Sequence, residues 1–151
     1  MTQPRRIWWA RPRKLCALER PGGGGRSHRP ERRSAEIEYL KDAGVRTVVS
    51  IMPTRHNLAD YEAAGLEWIH HPVESEDEDT LGELVVLLRR ATRKAGAVAI
   101  HGNRNSDFVA AVAASHLYDL RGVDPQYALD DAEAAGLTVT DDVRELLGDD
   151  W

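Results

Sequence analysis

The sequence predicts an α/β domain of three layers, a mostly parallel central sheet flanked by helices. Two segments carry most of that prediction. Val45–Met52 and Ala97–Ile100 are dominated by apolar and β-branched residues, the pattern of strands buried on both faces rather than half exposed. Amphipathic helical segments alternate with such strands along the chain, which points to crossover connections and hence to parallel pairing. At 151 residues with 42% hydrophobic content, the chain has enough apolar surface for a single core.

Taken in order, Ile7-Trp8-Trp9 and Lys14–Leu18 read as two short strands around an Arg11-Pro12 turn. Pro21-Gly22-Gly23-Gly24-Gly25 is too flexible for a regular element, so a mobile loop is expected through Pro30. Ser34 is the expected N-cap of a helix from Ala35 to Ala43, stopped by Gly44. Pro53 ends the strand Val45–Met52. A short helix spans Leu58–Ala64 and stops at Gly65, and Leu66–Val73 is the next strand. The acidic run Glu74–Asp79 leads into a helix over Thr80–Lys94, its carboxylates favouring the helix N-terminus. After the Ala97–Ile100 strand come helices at Asp107–Leu120, Gln126–Ala135 and Asp141–Leu147. Residues 1–33 form a basic lead-in to the same domain, and residues 34–151 form its α/β body.

The net charge of −5 is unevenly spread. Residues 1–33 hold ten Lys and Arg side chains against Glu19 and Glu31, so the lead-in is about +8 and the remainder about −13. Such an arm attracts polyanions, neutralises an acidic body, or is simply solvated. No stacking platform or reader motif accompanies it, so nucleic acid is not an expected partner. The lone Cys16 rules out an internal disulfide and suits a reducing cytoplasm. Its apolar strand makes it core filler rather than a nucleophile. No apolar stretch reaches the roughly 20 residues of a membrane span.

The densest polar signal is His101-Gly102-Asn103-Arg104-Asn105-Ser106-Asp107-Phe108, between a buried strand and an apolar helix. Strand–loop–helix layouts of this kind aim backbone N–H groups and a helix N-terminus at an anion. With its context, the stretch resembles the phosphate loop of the cysteine-based dual-specificity phosphatases. Similarity extends to the Trp8-Trp9 and Arg20-Pro21-Gly22 lead-in, Leu40–Ser50, Tyr61–Val73, Gly122–Ala128 and Ala132–Thr138. The resemblance implies that fold, and a Cys nucleophile, an Arg phosphate clamp and an Asp general acid. Those three positions fall on Gly102, Phe108 and Ser75. A glycine has no nucleophile, and a phenylalanine has no bidentate guanidinium.

The expectation is therefore a pseudophosphatase: a phosphatase-like protein without its chemistry, binding a protein partner or a small anionic ligand, with no metal or cofactor. The competing expectation is an enzyme that reuses the pocket for non-thiol chemistry, lined by His101, Asn103, Arg104, Asn105, Ser106 and Asp107. In that loop, the resemblance gives His101 a loop-ordering role. Arg104 supplies replacement charge, faces solvent or pairs with Asp107. Ser106, the loop's one hydroxyl, needs a nearby base to act as a nucleophile, and Asp107 is the simplest N-cap. Phe108 is expected to turn its ring into the emptied cavity or pack beside Val109. His70, His71 and His101 sit on neighbouring strands, without spacing that supports zinc. Glu74–Asp79 is a solvated loop or a partner-binding surface.

Overall fold

The computed structural model describes Pro4 and residues 6–103 and 107–148. Five strands form one sheet: β1 (Ile7–Arg11), β2 (Leu15–Leu18), β3 (Val45–Ser50), β4 (Glu67–His70) and β5 (Ala97–His101). Their order is β1-β2-β5-β3-β4. Only the β1–β2 hairpin is antiparallel; β2–β5, β5–β3 and β3–β4 are parallel. Six helices follow in chain order: α1 (Pro30–Asp42), α2 (Leu58–Ala63), α3 (Glu78–Ala91), α4 (Asp107–Arg121), α5 (Pro125–Ala134) and α6 (Asp141–Leu147). The predicted α/β architecture is the observed one.

Alternation along the strands divides the core between two faces. Leu15, Ala17, Val98 and Ile100 face α3, α4, α5 and α6, whereas Cys16, Leu18, Ala97 and Ala99 face α1 and α2. Successive strand side chains point to opposite faces, so two-sided burial requires the uninterrupted apolar runs seen in the sequence. Helix α4 is enclosed: every residue from Phe108 to Leu117 is buried. Its alanines allow neighbouring elements to approach closely, which suits a helix at the centre of a layer. Trp8 ties the edge strand to α5 by donating its indole N–H to Asp131 at 3.0 Å.

The lead-in departs from expectation in three ways. Helix α1 starts at Pro30, and Ser34 lies inside it rather than capping it. Proline is well suited to the first helical turn because its missing N–H has no intrahelical acceptor there. The glycine-rich stretch is built rather than loose: residues 21–24 are buried and Gly25–Ser27 forms a 3-10 turn. Gly22, at φ +93°, donates its N–H at 2.8 Å to the buried Glu36 carboxylate, and a Cβ there would meet Arg33 Cβ at 2.7 Å. Many of the basic side chains also act internally. Arg32 pairs with Glu19 and Glu36, Arg33 with Asp60, and Lys14 donates to the carbonyls of Lys94 and Gly96.

Strand and helix ends shift by a few residues elsewhere. β3 stops at Ser50 and β4 is confined to Glu67–His70, because the chain beyond each turns into the site. Asp77 caps α3 by accepting the Thr80 N–H at 2.9 Å, so that helix begins at Glu78. Cys16 is fully buried and its thiol is pushed up by desolvation, which keeps it protonated and inert.

Candidate functional site

The C-terminal ends of β3, β4 and β5 converge where open α/β sheets usually place their ligands. Ile51 donates its N–H to the His101 carbonyl at 3.0 Å, and Val73 donates to the Ile51 carbonyl at 3.1 Å. The Arg20 N–H reaches the Asn103 carbonyl at 3.1 Å, fastening the start of the β5–α4 loop to the end of β2. These bonds frame a cavity of about 320 Å³ walled by Ile51, Met52, Val73, Gly102 and Phe108, with Glu76 and Asp107 on its polar side.

His101 lies behind the loop rather than in the cavity. It is fully buried, with Nδ1 donating to the Gly102 carbonyl at 2.7 Å. That bond fixes the tautomer, so Nε2 accepts from the Tyr61 hydroxyl, also at 2.7 Å. Tyr61 in turn accepts from Asn57 Nδ2 at 3.2 Å, Asn57 Nδ2 also donates to the Pro21 carbonyl, and Asn57 Oδ1 accepts from Arg20 Nε at 2.9 Å. Each donor in the chain meets an acceptor, giving the loop a rigid polar backing. Burial pushes the His101 pKa down to about 4, assisted by the Arg20 charge. The imidazole is neutral at physiological pH and serves to position the loop.

Arg20, Asn57 and Tyr61 were not singled out as site residues from the sequence. The network they form is worth testing directly. Tyr61→Phe leaves His101 Nε2 and one Asn57 N–H buried without their partner, and should cost about 1–3 kcal/mol. Denaturant melts of the two proteins measure this, and an unchanged midpoint contradicts the network's structural role.

Of the expected pocket residues, Gly102, Asn103, Asp107 and Phe108 line the cavity. Arg104, Asn105 and Ser106 lie outside the described residues. Phe108 is 2% exposed and joins the apolar cluster under α4 while keeping a surface on the cavity, so both expected placements of its ring are partly realised. Asp107 is the first residue of α4. One carboxylate oxygen accepts the Phe108 N–H at 3.0 Å, and the other accepts the Thr140 hydroxyl at 2.9 Å, joining α4 to the cap of α6.

Ser75 is exposed and does not line the cavity, whereas the following residue, Glu76, does. Desolvation and the Asp107 charge hold the Glu76 carboxyl above its ordinary range. Among the described residues, the charged side chains lining the cavity are the carboxylates of Glu76 and Asp107. The three histidines do not converge: His70 Nε2 donates to the Met52 carbonyl, His71 faces Glu83, and His101 is enclosed. Among the described residues no group of three or more His, Cys, Asp or Glu side chains is arranged to hold a metal ion. None of the described helices is long and apolar enough to cross a membrane.

The sheet order and the enclosed α4 define a dual-specificity-phosphatase-like fold. Among solved structures, the chain is similar to a Cys-to-Ser variant of P. aeruginosa TpbA in complex with pTyr, with a TM-score of 0.74, 19% identity, and coverage of 96% of this chain and 84% of that one. It is similar to Tk-PTP in its active form at a TM-score of 0.70 and 20% identity, covering 94% and 93% of the two chains. Human DUSP28 matches at 0.68 and 20%, over 97% and 94%. No protein-family model matches the sequence, and neither does any curated protein.

Proposed function

We propose that this phosphatase-fold chain works by binding, without thiol-phosphatase chemistry, and that its cavity receives a cationic group from a protein partner. The observation that carries this reading is the composition of the cavity wall. Gly102 and Phe108, which the sequence resemblance places at the nucleophile and phosphate-clamp positions, line the cavity together with Glu76 and Asp107. Two carboxylates repel a phosphoryl dianion in a partly desolvated site. A lysine or arginine side chain is complementary in charge. The exposed run Glu74–Asp79 beside the cavity extends the negative surface and would steer a basic segment toward it.

The raised affinity of Glu76 for its proton supports a second reading, in which the pocket does acid–base chemistry on a non-phosphate substrate.

The test combines turnover and binding. Aryl phosphates and phosphotyrosine peptides should be turned over at background rate. An arginine-rich peptide should bind at low salt and weaken at least fivefold in Glu76→Gln, since an interaction of this kind falls with lost charge and with screening. Phosphatase activity that survives purification and disappears in His101→Ala overturns the reading. Peptide affinity that is indifferent to both salt and Glu76→Gln overturns the cationic-partner assignment.

A further inference from the structure

A second cavity, of about 410 Å³, lies where the end of β1, the end of α3 and the C-terminal half of α4 meet. Arg11, Thr92, Arg93 and His116 line it, and on its wall Asp119 is occupied by Arg89. That pair is bidentate, with Arg89 Nε at 2.9 Å and Nη2 at 2.6 Å from one carboxylate oxygen, so the acid is neutralised locally. Arg11 and Arg93 form no ion pair with a carboxylate among the described residues. Arg121, the last residue of α4, adds its charge close enough to lower the proton affinity of both Arg11 and His116.

The hydrogen bonding is incomplete in one direction only. Arg11 Nη1 lies 3.1 Å from His116 Nε2. A guanidinium has only donors, so Nε2 is the acceptor and the imidazole proton resides on Nδ1. That Nδ1 is buried without a partner, and so is Arg11 Nε, while His116 as a whole is 1% exposed. Two buried N–H donors therefore lack acceptors beside a cavity with excess positive charge. Unsatisfied buried donors are uncommon and call for a specific explanation. These enclosed donors are not themselves ligand contacts, but they leave the positive charge of the wall uncompensated, and Arg11 and Arg93 line the cavity without a paired carboxylate among the described residues. The C-terminal end of α4 disfavours an anion by itself, so the arginines must supply the attraction.

We infer that the Arg11–His116 cavity is an anion site, separate from the β5–α4 loop, that holds a phosphate group either free or on a small ester. Phosphate offers several acceptor oxygens to donors arriving from different elements, and arginine is the side chain best matched to it. The cavity exceeds the size of the bare ion, leaving space for an organic part. This assignment is independent of the cationic-partner reading of the first cavity: one can fail while the other stands.

The experiment is an NMR titration of the wild-type protein with inorganic phosphate and then with a small phosphomonoester, each against chloride at equal ionic strength. Phosphate should shift the His116 ring resonances saturably, and chloride should not. Arg93 is exposed, so Arg93→Gln should fold normally and weaken phosphate binding about fivefold to tenfold. Arg11→Gln should weaken it at least as much. Tighter binding of the ester than of the free ion assigns the site to esters, and equal or weaker binding assigns it to phosphate itself. The proposal is overturned if phosphate leaves His116 unmoved at tens of millimolar, or if Arg93→Gln and Arg11→Gln both bind like wild type. Shifts confined to the amides of Gly102 and Asn103 overturn it too, and would also contradict the charge argument for the first cavity.

Discussion

Phe108→Arg should lower the melting temperature by about 6–12 °C. The phenylalanine is 2% exposed and packed into the cluster under α4. Losing its burial costs about 1.5–3 kcal/mol by transfer. Part of an arginine stem can occupy the same space, but its guanidinium must leave the apolar cluster or remain there at a penalty. The Glu76 and Asp107 carboxylates on the cavity side offer it partners and limit the net loss to about 2–4 kcal/mol. For a chain of this length each kcal/mol is worth roughly 3 °C. Thermal melts of Phe108→Arg, with Phe108→Leu as the smaller perturbation, measure the effect. An unchanged melting temperature together with new sulfate or vanadate affinity would show that the cavity was open and preformed, and would favour a ligand-binding or catalytic role for the loop.

Acidification should destabilise the fold between about pH 6.5 and pH 4, ahead of general carboxylate protonation. His101 and His116 are both pushed down to about 4, first by desolvation. In the unfolded chain a histidine titrates near 6.5. Between those values the unfolded state binds protons that the native state refuses, so stability present above pH 6.5 is lost as the pH falls through this window. Tenfold in proton affinity corresponds to about 1.4 kcal/mol, giving an upper figure of about 3 kcal/mol for the enclosed His101. His116, beside a cavity, contributes less. Glu76 acts in the opposite sense, because its raised carboxyl takes a proton more readily in the native state and recovers some stability at the acid end. Denaturant unfolding across pH 4–7, paired with an NMR titration of both rings, checks the window. Either ring titrating near 6.5 in the native protein removes its share of the predicted loss.

Local pattern carried the fold. β3 and β5 were legible because two-sided burial demands apolar, β-branched runs, and the glycines after several helices marked their ends. The lead-in was less legible because its order depends on distant partners. Nothing near Gly22 announces that Glu36 will accept its N–H, and nothing near Arg11 announces His116, 105 positions away. The sequence points to a start of α1 at Ser34, but the helix starts at Pro30, because a proline suits the first helical turn. In the site, Gly102 and Phe108 could be read from the sequence only through the resemblance, which assigns them positions without fixing what surrounds them. That Glu76 lines the cavity was not legible, because which residue of the acidic run borders it depends on the path of the loop. Tyr61 and Asn57 were hidden for a related reason: in sequence they are an ordinary apolar-face residue and a loop asparagine.

The burial of Phe108 bears on what thiol chemistry at this loop would demand. Thiol-phosphatase chemistry at this loop would require a cysteine at position 102 and an arginine at position 108 together. Gly102→Cys by itself supplies a nucleophile facing two carboxylates with no clamp for its substrate. Phe108→Arg by itself sacrifices stability with nothing to attack phosphorus. Asp107, for its part, also joins α4 to Thr140. On the binding reading proposed above, the packing that holds Phe108 under α4 also stands between this loop and thiol-phosphatase chemistry, so the two demands on position 108, core packing and phosphate binding, exclude each other.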